Sequence, residues 1–230
     1  MLIFGISMCC EDWFELGYVE RLSEDFGIIC IEPRGHGKSS CPVDPSSYAL
    51  SAMTTDVEAI ITALRLKRPL IWGYSLGAKI ALATAGRDPA AYAGLILGGL
   101  ELHSKVDLTN DVVADTLAQG PRAWLSLWTQ MFSVPHGMAS RLAAANTQAL
   151  RALRTAEAQW WTLESVAERF IAPVLLYAGE RCFFRDATVA AAERFQTARY
   201  LERPGRDHFD LMPDSAWIVD EVIRQFAPGR

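Results

Sequence analysis

The sequence lacks the patterns on which metal-dependent and nucleotide-dependent enzymes rely. Its 230 residues include only four histidines and five cysteines, with no His-Glu-x-x-His pair and no zinc-type or disulfide-framework spacing. No Gly-x-x-x-x-Gly-Lys phosphate loop is present, and Gly35-His36-Gly37 lacks the third glycine of a dinucleotide-binding fingerprint. We therefore expect neither a metal ion nor any other cofactor.

Clusters of basic residues and long apolar runs are also missing. The 22 lysines and arginines stand against 27 acidic residues, a net charge of −5, which gives no reason to expect nucleic acid or an anionic membrane as a partner. No apolar stretch is long enough to span a bilayer, and the first residues lack the pattern of a signal peptide. We expect a cytoplasmic protein with free thiols and a small-molecule substrate.

The sequence does contain a Gly-x-Ser-x-Gly pattern, at Gly73-Tyr74-Ser75-Leu76-Gly77. This pattern is typical of a nucleophile elbow, the tight turn between a strand and a helix that exposes a serine hydroxyl. The apolar residues 69–72 predict the strand, and the helix formers of residues 78–85 predict the helix. The alternative is a glycine-rich turn whose serine does no chemistry.

The order of apolar segments predicts an α/β fold. Short apolar runs alternate with helical patterns, which indicates a mostly parallel sheet of about six strands flanked by helices. The predicted strands are residues 1–6, 28–31, 69–72, 95–97, 174–177 and 198–201. Residues 102–171 interrupt the alternation and are helical in composition. We expect them to form an inserted helical cap on a core of residues 1–101 and 172–230.

Aromatic residues of the predicted cap suggest where a substrate binds. Substrate pockets are largely apolar and aromatic, so we expect Trp124 and Trp128, with Tyr74 beside the serine, to line one. The competing interpretation is that the tryptophans simply pack the core of the cap.

A serine nucleophile needs a base, and His208 is the candidate. It lies in a loop after the last predicted strand and before the last predicted helix. Loops at the carboxyl ends of parallel strands share one edge of the sheet, so Ser75 and His208 can meet there although they are far apart in sequence. The alternative is an exposed histidine in a turn.

Together these motifs resemble the α/β-hydrolases, in particular the esterases, lipases and lactonases that carry a cap. The likeness rests on the elbow, on Pro33-Arg34-Gly35-His36-Gly37-Lys38-Ser39, and on the segment from Pro204-Gly205 to His208. The resemblance implies a serine hydrolase that cleaves a carboxylic ester, thioester or lactone of a small, largely apolar substrate through an acyl-enzyme on Ser75. It also implies an oxyanion hole made by the backbone N–H groups of Ile6 and Leu76.

The sequence departs from this family at its first strands and at the acidic residue that orients the histidine. The two strands that usually precede the first one are missing, so we expect a smaller sheet whose edge allows a homodimer to form. Cys182 occupies the usual position of the aspartate, and a thiol orients a histidine poorly. We expect Glu101, after the fourth strand, to serve as the acid, unless it is only a solvated loop charge. Asp186 is the next candidate, although capping of the following helix explains it more simply.

Two other functions remain open at this point. The unusual acid position is compatible with a non-catalytic ligand-binding or receptor protein on the same fold. Within the family, carbon–carbon bond hydrolysis uses the same serine and histidine, and the fold alone does not separate it from ester cleavage.

Overall fold

A six-stranded sheet runs through the part of the chain that this computed structural model describes, residues 1–104 and 106–227. The strands are β1 (Leu2–Ile3), β2 (Cys30–Ile31), β3 (Leu70–Tyr74), β4 (Gly94–Gly98), β5 (Val174–Gly179) and β6 (Ala198–Arg203). They lie in the order β2-β1-β3-β4-β5-β6, and each neighbouring pair is parallel. The predicted α/β class and the expected number of strands are thereby confirmed for the described residues.

Helices cover both faces of the sheet. They are α1 (Cys10–Glu15), α2 (Tyr18–Leu22), α3 (Leu50–Ala63), α4 (Leu76–Ala85), α5 (Val112–Ala118), α6 (Pro121–Met131), α7 (His136–Ala143), α8 (Thr147–Glu157), α9 (Glu164–Arg169), α10 (Arg185–Ala192) and α11 (Ser215–Phe226). Successive residues of a strand point to opposite faces, so Ile71 packs in the core with α3 and α4. Its neighbour Trp72 packs in the other core, with α1, α2 and α11.

The chain between β1 and β2 forms two short helices, α1 and α2, and not one continuous helix. They are separate because Gly17 between them adopts a left-handed conformation with φ of 78°. Few residues other than glycine take that conformation without strain, and it cannot continue a right-handed helix.

Helices α5 to α9 lie between β4 and β5, inside the segment predicted to be a cap. Within this segment Trp124 and Trp128 are almost completely buried. Trp124 Nε1 donates a hydrogen bond of 2.7 Å to Ser7 Oγ, in the loop that follows β1. The insertion therefore packs on the edge of the sheet where the strands end. In the described part of the chain, no helix is long and apolar enough to cross a membrane.

Candidate active site

Ser75 stands on a strained turn between β3 and α4. Its φ of 56° and ψ of −118° are rare for a residue with a side chain, and such backbone strain typically occurs at functional sites. The Ser75 N–H donates a 2.8 Å hydrogen bond to the carbonyl of Gly98, at the end of β4. The strand before the motif and the helix after it form as predicted. The Gly-x-Ser-x-Gly pattern therefore lies in the strand–turn–helix arrangement of a nucleophile elbow.

The two glycines of the motif are needed because the backbone is crowded on both sides of Ser75. A Cβ on Gly73 would overlap the carbonyl of Gly77, and a Cβ on Gly77 would overlap the carbonyl of Ile3. Helix α4 can therefore lie directly against β1 and β3 only if both positions lack a side chain.

His208 lies in the loop between β6 and α11 and is 5% exposed. Its backbone carbonyl accepts a 2.6 Å hydrogen bond from the hydroxyl of Tyr74, the residue before Ser75. The two rings also stack, with centroids 5.0 Å apart. Burial lowers the pKa of His208 to about 3, although the nearby charge of Asp207 acts in the opposite direction. The ring is therefore neutral at physiological pH and able to accept a proton.

An apolar cavity of about 110 Å³ brings together all the predicted site residues except Glu101. Those that line it are Ser75, His208, Ile6, Leu76, Tyr74, Trp124 and Trp128. Phe183, Phe184 and Phe209 complete the wall on the side of the histidine. Among the described residues, the hydroxyl of Ser75 and the ring of His208 share the cavity without a hydrogen bond between them. Such bonds are often long until a substrate is bound.

The expected oxyanion-hole residues, Ile6 and Leu76, line the same cavity as Ser75. Leu76 is the first residue of α4, so its N–H has no partner within the helix and faces the end where the helix dipole is positive. Ile6 lies in the turn after β1, which is closed by a 3.3 Å hydrogen bond from Met8 N–H to the carbonyl of Gly5. A Cβ on Gly5 would stand 3.2 Å from Cβ of Ser75, so a glycine leaves room there for the reacting group.

Cys182 is the side chain that contacts the far nitrogen of the histidine. Its Sγ lies 3.2 Å from Nδ1 of His208 and accepts a 3.3 Å hydrogen bond from the N–H of Phe184. If Nε2 is to accept the proton of a serine, Nδ1 must carry the hydrogen and donate it to the sulfur. Burial raises the pKa of the Cys182 thiol to about 11, so this partner is uncharged at neutral pH.

Glu101 does not make the expected contact with His208. Its carboxylate is buried and accepts a 2.6 Å hydrogen bond from Nζ of Lys79, which also donates to Glu157 at 2.8 Å. Lys79 is itself buried, and a buried ammonium group needs carboxylate partners. The acidic side chain in the loop after β4 therefore neutralises a lysine and does not orient the histidine.

Asp186 also differs from its expected place. Helix α10 begins at Arg185, so Asp186 lies inside the first turn and is not the N-cap. Its side chain is 91% exposed and pairs with Arg185 at 2.8 Å. It thus faces solvent, away from the buried ring of His208.

One cluster outside the cavity has ligand atoms suited to a metal ion. Atoms of Cys9, Glu11 and Glu32 lie within 4.8 Å of one another. Both oxygens of Glu32 already accept hydrogen bonds from backbone N–H groups, and Glu11 pairs with Lys38 at 3.0 Å. Burial also raises the pKa of the Cys9 thiol, which opposes formation of a thiolate ligand. Hydrogen bonding within the protein accounts for this cluster.

The sequence interpretation overlooked the charged residues of the cavity wall. Lys79, Arg154 and Glu157 line the same cavity as Ser75. A signal was present for Lys79, since it is the one charged residue of α4 and lies four positions after the serine, on the same side of the helix. Its partner Glu157 belongs to the insertion, and no local pattern connects the two.

Comparison with known proteins supports the same family. Residues 1–137 match the family profile described as alpha/beta hydrolase fold. The chain is 32% identical over 142 residues to the Agrobacterium fabrum protein named "Putative carbamate hydrolase RutD", a match that covers 55% of this chain and 53% of that protein. The chain thus spans about half the length of this curated relative.

Solved structures resemble nearly the whole chain. A thermophilic esterase from Thermogutta terrifontis has a TM-score of 0.80 at 17% identity, over 97% of this chain and 87% of that one. The enol-lactonase from Burkholderia xenovorans has a TM-score of 0.77 at 19% identity, over 97% and 88%. At such identities the likeness concerns the fold, and the profile match covers more than half of the sequence. The chain belongs to the α/β-hydrolase fold family.

Proposed function

We propose that this protein is a serine hydrolase that cleaves a carboxylic ester, thioester or lactone of a small, largely apolar substrate. The observation that carries the proposal is that Ser75, on its strained elbow, and the neutral ring of His208 line one apolar cavity. An apolar wall binds the hydrocarbon part of a substrate, while the serine and histidine supply a nucleophile and a base.

The chemistry follows from the positions of these groups. Oγ of Ser75 attacks the carbonyl carbon while Nε2 of His208 takes its proton, and the carbonyl oxygen becomes an oxyanion. The N–H groups of Ile6 and Leu76 stabilise that oxyanion, at about 2.7–4 kcal/mol for each donor in comparable enzymes. His208 then protonates the leaving group, which leaves an acyl group on Ser75. Finally it deprotonates a water molecule that releases the acid.

Cys182 acts in this scheme as a positioning residue. Its sulfur accepts the Nδ1 hydrogen of His208, which keeps Nε2 free as the base. A thiol does this more weakly than a carboxylate and offers no charge to the imidazolium. We therefore expect slow turnover compared with a hydrolase that has a complete Ser-His-Asp triad.

The test compares wild-type protein with Ser75→Ala on p-nitrophenyl butyrate. Loss of serine-dependent turnover in the variant, by about 10³-fold or more, is the expected result. Ser51→Ala provides a matched control, because that serine is exposed at the start of α3 and outside the cavity. Equal hydrolysis by wild type and Ser75→Ala would reject the proposal.

A non-catalytic receptor is the second candidate, and the contact between Cys182 and His208 favours it. A fluorophosphonate probe distinguishes the two, because it reacts only with an activated serine. Labelling of Ser75 in the folded protein supports the hydrolase, and a folded but unlabelled protein supports the receptor. The relative named as a carbamate hydrolase adds carbamates to the substrates worth testing.

A further inference from the structure

One wall of the apolar cavity is charged, and the proposed mechanism does not use it. Lys79, Arg154 and Glu157 line this wall, with the side chains of Lys79 and Glu157 each 5% exposed. Removing charges from water costs free energy that their attraction repays only in part. Binding of a purely hydrocarbon acyl group would not require them.

The hydrogen bonds of this wall leave one N–H of Lys79 without an acceptor among the described residues. The ammonium group of Lys79 has three N–H bonds, of which one goes to Glu101 at 2.6 Å and one to Glu157 at 2.8 Å. The other carboxylate oxygen of Glu157 accepts a 2.6 Å bond from Arg154. Glu157 is thus engaged at both oxygens. The ammonium group of Lys79 lies 6.0 Å from the ring centroid of Phe184, which also lines the cavity, and its third N–H can be given to a ligand there.

The charge balance decides which kind of ligand oxygen fits this donor. Two cations, Lys79 and Arg154, are paired with three carboxylates, those of Glu101, Glu157 and Asp111. Although burial acts to raise the pKa of Glu157, the charges of Lys79 and Arg154 hold it below its ordinary value. The wall therefore has no excess positive charge to attract an anion. A neutral oxygen can accept the remaining N–H without adding charge.

The position of Lys79 places this donor near the reacting bond. It follows Ser75 by four residues, a rise of about 6 Å along α4, and both residues line the cavity. A group held by Lys79 would therefore lie a few bonds from the carbonyl that Ser75 attacks. Building on the proposed ester hydrolysis, we propose that Lys79 forms a polar subsite selecting acyl groups with a neutral carbonyl or hydroxyl oxygen.

The first experiment uses wild-type protein and three p-nitrophenyl esters of similar length: the pentanoate, the keto ester levulinate, and the glutarate monoester with its free carboxylate. Each kcat/KM is divided by the rate of hydroxide-catalysed hydrolysis of the same ester, which removes differences in intrinsic reactivity. We expect the levulinate to exceed the pentanoate by about tenfold, and the glutarate to stay below the levulinate. A pentanoate equal to the levulinate, or a glutarate that is fastest, would overturn the proposal.

The second experiment uses the double variant Lys79→Met/Glu101→Gln, which removes one charge of each sign and leaves Glu157 paired with Arg154. The preference for levulinate over pentanoate should fall to about one, and Glu101→Gln alone should retain it. The preference is a ratio within one protein, so a general loss of activity cancels. If the double variant does not fold, the wild-type series still decides.

These outcomes separate the subsite from the proposed function. Equal corrected rates for the plain and keto esters, both abolished by Ser75→Ala, would reject the subsite and leave the hydrolase standing. Absence of serine-dependent hydrolysis for every ester would reject the hydrolase itself.

Discussion

Sγ of Cys182 lies 3.2 Å from Nδ1 of His208, in the place where the sequence motif of this family leads one to expect an aspartate. The side chain in contact with the histidine is thus an uncharged thiol whose pKa is raised by burial to about 11. In a serine protease, replacing the triad aspartate by its amide lowered kcat by about 10⁴-fold. A side chain is thus in contact with Nδ1 of the histidine, while the charge that an aspartate would supply there is missing.

The first prediction is that Cys182→Asp raises kcat by at least about tenfold. A carboxylate at this position would stabilise the imidazolium, and the N–H of Phe184 already donates to the atom that it would replace. Cys182→Ser is the matched control, since a hydroxyl keeps the position polar and uncharged. The measurement is kcat for p-nitrophenyl butyrate at neutral pH. An aspartate variant no faster than the serine variant would contradict the prediction.

The second prediction concerns Gly99, which leaves room for the ring of His208. A Cβ at this position would lie 2.7 Å from Cε1 of the ring, and the φ of Gly99 is +57°. Gly99→Ala should displace the histidine and lower kcat by at least about tenfold. Gly120→Ala is the control, because its φ is +96° but a Cβ there meets nothing within 4 Å. Both variants should lose stability through backbone strain, and only the first should lose activity.

The third prediction is a loss of stability in mild acid. Burial lowers the pKa of His36 to about 4 and that of His208 to about 3, whereas an unfolded histidine titrates near 6.5. Between about pH 6.5 and those lower values the unfolded chain binds more protons at these two histidines than the folded protein does. The free energy of unfolding should therefore fall as the pH is lowered, by up to about 1.4 kcal/mol per pH unit for each histidine.

Urea unfolding at a series of pH values measures this slope. His36→Asn should make the slope shallower, whatever its effect on stability at neutral pH. Identical slopes for wild type and His36→Asn would contradict the prediction, because they would show that unfolding does not lead to protonation of His36.

The fourth prediction concerns the size of the cavity. Trp128 lines a cavity of about 110 Å³, so Trp128→Leu should enlarge it and shift the preference from p-nitrophenyl butyrate towards the octanoate. We expect a change of about tenfold in the ratio of kcat/KM values. Trp161→Leu should leave the ratio unaltered, since Trp161 is 50% exposed and outside the lining. An unchanged ratio for Trp128→Leu would mean that the acyl chain binds elsewhere.

Local patterns were enough to predict the parts of the site that depend on local structure. The elbow at Ser75 needs a strand, a helix and two positions where the backbone passes too close for a side chain. Apolar residues, helix formers and two glycines indicate these features within a dozen residues of the sequence. The ends of the strands were harder to predict, because apolar residues indicate that a segment is buried and do not indicate that it pairs with another strand. Phe4 is 2% exposed yet lies outside β1, which spans Leu2–Ile3 although residues 1–6 were predicted.

Pairings between distant charges could not be predicted from the sequence. Glu101 was expected to serve His208 because some members of the family that the sequence resembles take their acid from the loop after this strand. Its partner was decided by Lys79 on α4 and by Glu157 in the insertion, 78 residues from that lysine. An ammonium group buried beside that loop competes for the carboxylate more strongly than a neutral imidazole does.

The bond between Lys79 and Glu157 joins α4, the helix that follows Ser75, to the helical insertion. Lifting the insertion would break a buried ion pair, and buried pairs cost about 3–5 kcal/mol when one partner is lost. We therefore expect the insertion to stay in place over the cavity and not to open as a lid. Entry and exit of ligands would then depend on rotation of the side chain of Phe183, a residue that lines the cavity and is 65% exposed.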